Sequence, residues 1–145
     1  MAKLYVMVGL PGSGKSAYAK KMLKGIIVSS DDIRECLYGM AEIQSDPNRV
    51  FAFVNSITKD CLKDNRDVIY DATSLNEKTR ANIIDQFSDV ADEIIAIYMD
   101  TPLETCIMRN NARDRIVPEN RIRDMAKSLT QPTVAEGFSE IRIIF

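Results

Sequence analysis

The chain has 145 residues, the size of one domain, with 46% apolar residues, 28% charged residues and a net charge of −2. It contains no histidine, which excludes a Ser-His-Asp triad, a Cys-His pair and any His-ligated metal, and leaves acid–base work to carboxylates, Lys, Tyr or Cys. No run approaches the ~18 apolar residues of a membrane span and no signal-peptide pattern opens the chain, so the expected compartment is the cytosol. The three cysteines, Cys36, Cys61 and Cys106, form no CxxC pair. They read as buried small hydrophobes on helices rather than as a disulfide framework or zinc site.

The first predicted strand is Leu4–Val8, an apolar and β-branched run. It leads into GLPGSGKS, residues 9–16, and then into a helical pattern through Ala17, Tyr18, Met22 and Leu23. Gly9, Gly14, Lys15 and Ser16 match G-x-x-x-x-G-K-[ST] in the strand–loop–helix setting that this motif requires. Residues without Cβ let a loop curl until its N–H groups converge on an anion. The helix N-terminus adds donors and a positive dipole end. Gly9, Pro11, Gly12, Ser13, Gly14, Lys15, Ser16 and Ala17 are therefore the expected nucleotide-binding set. Lys15 supplies a charge to the β- and γ-phosphates, and the Ser16 hydroxyl is a hard oxygen ligand for Mg²⁺. The competing reading is a glycine-rich turn with an accidental lysine, which the placement after a buried strand disfavours.

The second strand, Ile26–Ser29, ends in SSDDIR, residues 29–34. Ligands of open α/β sheets bind beyond the strand carboxyl ends, so Asp31 and Asp32 fall near the mouth of the loop. Asp31 is a candidate base for an attacking hydroxyl. Arg34, three residues on, shares its helix face and suits an acceptor that carries an anion. The alternative is capping: Ser29 and Asp32 resemble a capping box, and Asp31 would serve as a plain N-cap. The reading adopted gives Asp31 the functional role and Asp32 the structural one.

Residues 39–47 read as a surface loop. The helix Asn48–Lys63 follows, with Val50, Phe53, Val54, Ile57, Cys61 and Leu62 expected on one face. The third strand, Asp67–Tyr70, leads into Asp71 and Thr73 within DVIYDATSLN. Asp71 suits a Mg²⁺-bound water or the orientation of the acceptor, and Thr73 joins it on the acceptor side. The alternative, that Asp71 and Asn76 shape a turn and cap the next helix, stays open.

After the strand Glu93–Met99 comes RNNARDR, residues 109–115. Arg109 and Arg113 are four apart and are expected on one helix face, with Arg115 just beyond. The polar stretch 110–117 reads as a surface loop. Residues 109–118 are expected to form a mobile lid whose arginines contact the nucleotide. An arginine closing on a γ-phosphate is worth roughly 10³–10⁵ in rate. The alternative is a solvated helix surface with Asp114 as a local partner. The helix Glu119–Leu129, with Pro118 in its first turn, and the strand Ile141–Phe145 complete the chain. Residues 109–127 hold six basic residues against three acidic ones, a local charge of +3 on an acidic chain. Strands alternating with helices predict a three-layer α/β sandwich over residues 1–145, its parallel sheet of about five strands covered on both faces.

A phosphate loop alone fits a switch GTPase, an ATPase motor or a kinase. No NKxD guanine-reading motif exists, and Ala72 rather than an acidic residue follows Asp71. Both absences favour transfer to something other than water. GLPGSGKS, SDDIR, YDATSLN and RNNARDRIVPENRIRDM, in this order, resemble the 5′-kinase domain of phage-type polynucleotide kinases, within the P-loop kinases of the AAA_33 type. The likeness covers nearly the whole chain. It implies Lys15 and Ser16 in the P-loop roles, Asp31 as general base on a 5′-hydroxyl and Arg34 gripping the 3′-phosphate of the terminal nucleotide. It also implies Asp71 as the family's strand-end Asp, and Arg109 and Arg113 as its lid arginines. Ala17 departs from the family's usual Thr. Arg113, with Lys15 and Asp31, is the expected catalytic set; Ser16 and Asp71 are the expected Mg²⁺ set. The expectation is an ATP- and Mg²⁺-dependent kinase acting on the 5′-OH of a polynucleotide. Its rivals are a small-molecule or nucleoside kinase, and a nucleotide-binding switch with slow ATP hydrolysis.

Overall fold

The computed structural model describes residues 2–39, 46–113 and 116–145. Five strands, β1 (Ala2–Val8), β2 (Ile26–Ser29), β3 (Val68–Asp71), β4 (Ala91–Met99) and β5 (Glu140–Ile144), form one sheet in the order β2-β3-β1-β4-β5. Every pairing is parallel. The expected strands are all present, with ends displaced by no more than two residues.

The alternation along β1 explains the three layers. Leu4, Val6 and Val8 point to one face, and Tyr5 and Met7 to the other. All five are buried, as a central parallel strand requires. The first face is covered by α3 (Pro47–Lys63) and α4 (Glu77–Phe87), through Val50, Val54, Leu62, Ile83 and Phe87. The second is covered by α1 (Lys15–Met22), through Ala19 and Tyr18. The chain also forms α2 (Ser30–Tyr38), α5 (Leu103–Asn111), α6 (Glu119–Ser128) and a 3₁₀ turn at Val134–Glu136. No helix among the described residues is long and apolar enough to cross a membrane.

Three expectations change. The buried stripe of α3 is Val50, Val54, Thr58 and Leu62, a strict four-residue repeat. Phe53 and Ile57 stay exposed and Cys61 is half-buried, because α3 meets the sheet along a narrow line. Thr58 is admitted because its hydroxyl donates to the Val54 carbonyl at 2.8 Å. Second, α5 ends at Asn111, so Arg113 lies beyond the helix and does not share its face with Arg109. Third, the cysteines sit on helices as expected, but only Cys106 is buried; Cys36 is exposed. Of the expected loop 39–47, residues 40–45 lie outside the described ones. Asp46 caps α3, accepting from Arg49 N–H at 3.2 Å, and Pro47 occupies its first turn.

The strand order places the site. The chain leaves β1 toward β2 on one side and leaves β3 toward β4 on the other. The carboxyl ends of β1 and β3 therefore flank a topological switch point, where open α/β sheets bind ligands. The Gly9 N–H, just past β1, donates to the Thr73 carbonyl, just past β3, at 3.1 Å and fixes the two ends together.

Candidate active site

The loop between β1 and α1 turns on two glycines. Gly12 has φ 81° and Gly14 φ 97°, both left-handed. A Cβ on Gly12 would also drive into the Cys106 carbonyl of α5. No side chain caps α1 at Gly14, so the first-turn N–H groups remain for an anion. Thr101 pins the loop from β4's end, its hydroxyl donating to the Ser13 carbonyl at 2.8 Å.

Lys15 leads into this cradle, its Nζ donating to the Leu10 carbonyl at 3.0 Å. Burial pulls the Lys15 ammonium below its ordinary pKa; the nearby Asp71 and Asp31 carboxylates push it back up, and Arg113 adds to the lowering. Lys15, Asp71, Asp31 and Arg113 line the same cleft. Ser16 Oγ donates to Asp71 Oδ2 at 2.8 Å. Asp71 itself is buried at the end of β3. Among the described residues no group of three or more His, Cys, Asp or Glu gathers as a metal cage. A hydroxyl and one carboxylate are hard oxygen donors that fit a Mg²⁺ shared with phosphates, because that ion takes few protein ligands.

At the tip of β2, Ser29 caps α2 by accepting from Asp32 N–H at 3.2 Å. The cap is Ser29, which frees Asp31 from that task. Asp31 Oδ1 takes a 2.8 Å ion pair from Arg34 Nη1. The Arg34 side chain is 7% exposed and that of Asp31 43%. Arg34 Nε is buried without a hydrogen-bond partner, a donor left for something else.

These residues line one cleft of about 420 Å³. Pro11, Gly12, Gly14, Lys15, Ser16 and Ala17 form its floor; Asp31, Arg34, Asp71 and Thr73 one side; Arg109 and Arg113 another. Arg109 and Arg113 thus meet in the cleft although they do not share a helix. Gly9 and Ser13 do not line it. Gly9 sits against Ser13 and Met99, and Ser13 borders an adjoining cleft of about 530 Å³. That second cleft continues from Gly14, Ala17 and Arg109 to the more apolar Tyr18, Met22, Met99 and Phe145. Arg115 lies outside the described residues.

Sequence reasoning missed several contributors. Phe51 of α3, Val117, and Arg121 and Met125 of α6 also line the first cleft. Arg121 has no ion pair among the described residues, whereas its neighbour Arg123 is held by Glu104 at 3.0 Å and Glu119 at 3.1 Å. Asn110 is fully buried behind the lining. Its Nδ2 donates to the Val117 carbonyl at 2.7 Å, and its Oδ1 accepts from Val117 N–H at 3.0 Å and Arg113 Nε at 3.2 Å. Only the adjacency of Asn110 to Arg109 hinted at it.

Known proteins share this plan. An L-seryl-tRNA(Sec) kinase of Methanococcus maripaludis is 28% identical over 141 residues, covering 89% of this chain and 53% of that protein. A protein of Autographa californica nuclear polyhedrosis virus, assigned as a bifunctional polynucleotide kinase/RNA ligase, is 29% identical over 140 residues, covering 81% of this chain and 19% of its own length. The solved Pnkp1/Rnl/Hen1 RNA repair complex contains a chain that superposes with TM-score 0.78 at 25% identity, over 88% of this chain and 44% of that one. The chain thus spans about half, or less, of these relatives. The family described as an AAA domain matches residues 4–132. With that match over a parallel sheet and a glycine-lysine loop at its switch point, the chain belongs to this AAA-domain family and has its P-loop kinase-like α/β fold.

Proposed function

We propose that the protein is an ATP- and Mg²⁺-dependent kinase that transfers the γ-phosphate to the 5′-OH of a polynucleotide. The observation that carries this is the Asp31–Arg34 pair, 2.8 Å apart, lining the same cleft as Lys15, Arg109 and Arg113. A nucleotide-dependent switch needs no such pair. A kinase needs a carboxylate to receive the proton of the attacking hydroxyl. Asp31 takes that proton as the acceptor oxygen bonds to the γ-phosphorus and the bond to the β-phosphate oxygen breaks, releasing ADP.

Each remaining residue has a task. The N–H groups around Gly12 and Gly14 and the start of α1 hold the phosphates. Lys15 swings from the Leu10 carbonyl to the β- and γ-oxygens. Arg109 and Arg113 neutralise the charge that spreads over the γ-oxygens. Ser16 and Asp71 would hold Mg²⁺, which supplies further charge to the β- and γ-oxygens. The second cleft, with Tyr18 and Met99, accommodates the base. Arg34, which lines the cleft and has a buried, unpaired Nε, would grip an anion on the acceptor, the 3′-phosphate of its terminal nucleotide. Thr73 borders the acceptor beside it.

A second reading, the serine hydroxyl of an aminoacylated tRNA, is favoured by the archaeal tRNA kinase matching 89% of this chain. It uses the same base and the same cleft. One experiment separates these: γ-labelled ATP offered with 5′-OH DNA and RNA oligonucleotides, seryl-tRNA, nucleosides and polyol metabolites. Label in the 5′-OH oligonucleotides is the expected result. Label confined to seryl-tRNA or to a metabolite would move the assignment there. ATP loss with no labelled acceptor would leave only the slow-hydrolysis switch.

A further inference from the structure

Arg80 of α4 is the largest fully buried side chain among the described residues, and phosphoryl transfer has no use for a guanidinium sealed from the cleft. It donates Nε to Glu136 Oε1 at 2.8 Å, and Nη2 to Thr130 Oγ1 at 2.8 Å and Glu136 Oε2 at 3.3 Å. Nη1 faces three carbonyls, of Thr130, Leu75 and Ser74, at 2.9, 3.0 and 3.1 Å. Thr130 N–H also donates to the Leu75 carbonyl at 2.9 Å. Every N–H direction of the guanidinium is occupied.

The segments it joins are the roots of two cleft walls. Ser74 and Leu75 directly follow Ala72 and Thr73, which line the cleft. Thr130 lies just past α6, which lines it with Arg121 and Met125. The first root is strained: Ser74 is a non-glycine residue at φ 49°, and its buried hydroxyl has no partner. Strain of this kind persists only where the surroundings over-determine it, and two of the Arg80 contacts fall on this turn.

We infer that Arg80 and Glu136 form a positioning hub that fixes the spacing of the two acceptor-facing walls and so sets acceptor affinity without touching the acceptor. This rests on the kinase reading above. The glycine loop meets the first wall through the Gly9–Thr73 bond, but it has its own anchor in Thr101, which holds the Ser13 carbonyl, so the hub acts chiefly on the acceptor.

Removing Arg80 outright risks the fold, so the test uses Thr130→Val and Glu136→Gln, with Thr130→Ser as the conservative rescue. Steady-state transfer to a 5′-OH oligonucleotide is measured beside calorimetric binding of Mg²⁺ and a non-hydrolysable ATP analogue, and amide exchange. In both variants the KM for the oligonucleotide rises roughly tenfold, the scale of a small misplacement of a binding wall. Binding of the ATP analogue stays within about twofold on the same argument. Exchange quickens together at residues 72–75 and 121–126 but not in β1 or α1, and Thr130→Ser restores the wild-type KM. A purely structural ion pair would lower the melting temperature and leave KM alone; that outcome, or exchange that quickens at one wall only, overturns the hub. Wild-type protein that labels no oligonucleotide overturns the polynucleotide acceptor instead, and the exchange pattern then decides the hub by itself.

Discussion

At the scale of single residues, the proposed chemistry depends on Asp31 being free to take a proton. Ser29 caps α2, so Asp31 is spared that role, and its one ion pair among the described residues is with Arg34. Asp31→Asn keeps the size and removes the base. Its kcat for transfer should fall roughly 10²–10⁴-fold, with binding of an ATP analogue unchanged by calorimetry; unchanged turnover would reject the role. Arg34→Ala should raise the KM for the oligonucleotide far more than that for ATP. Asn110 makes a subtler claim. It touches no part of the cleft surface yet holds Arg113 Nε and both backbone groups of Val117. Asn110→Ala should lower kcat, and the Asn110→Ala/Arg113→Ala double variant should be no slower than Arg113→Ala alone. Additive losses in that cycle would show that Asn110 does not act through Arg113.

At the scale of elements, the same contrast between local and distant information decides what the sequence reveals. The glycine loop is legible because phosphate binding uses consecutive backbone groups. The Asp31–Arg34 pair is legible because a helix brings i and i+3 together. The strands are legible because buried parallel strands are continuous apolar runs. What was not legible comes from elements converging in space: Phe51, Val117, Arg121 and Met125 meet at the cleft with no shared motif. The face of α3 fails for a related reason. Its apolar residues at three- and four-residue steps describe a broad stripe, but the sheet selects only the four-residue repeat. Leu62→Ala, which empties a site of 2% exposure, should cost about 2–5 kcal/mol. Phe53→Ala, at 46% exposure, should stay within about 0.5 kcal/mol. Equal costs in denaturant titration would restore the broader stripe. The shared face expected for Arg109 and Arg113 failed because α5 stops at Asn111, where the Ala112 and Arg113 N–H groups close a tighter turn on the Arg109 and Asn110 carbonyls.

At the scale of the whole molecule, charge is arranged against the average. Burial raises the Glu136 carboxyl, but hydrogen bonds from Arg80 and Thr133 outweigh it and hold its pKa below the ordinary 4.5. A depressed folded pKa stabilises above the unfolded value and is lost as pH falls through the folded one. Melting temperature should therefore drop on acidification below about pH 4.5, more steeply in wild type than in Glu136→Gln; parallel curves would show that another carboxylate governs the acid limb. Salt tests the other half of the charge pattern. The net charge is −2, so the molecule as a whole does not attract a polyanion, and any salt dependence must come from the local +3 of residues 109–127 together with Arg34. Within that segment Arg123 and Lys127 are paired with Glu104, Glu119 and Asp124; of the other described basic residues, Arg109 and Arg113 have the donor role in the proposed reaction and Arg121 is the candidate for the acceptor. If Arg34 and Arg121 each neutralise one phosphate of a single-stranded acceptor, log K should fall against log salt with a slope of about −1.4. Between 50 and 200 mM salt that is a loss of about sevenfold. Arg121→Gln should halve the slope, whereas Arg123→Gln should leave it alone. A flat dependence in protein that still labels oligonucleotides would mean that the acceptor is gripped by its sugar and base, and that the buried, unpaired Nε of Arg34 serves something other than phosphate.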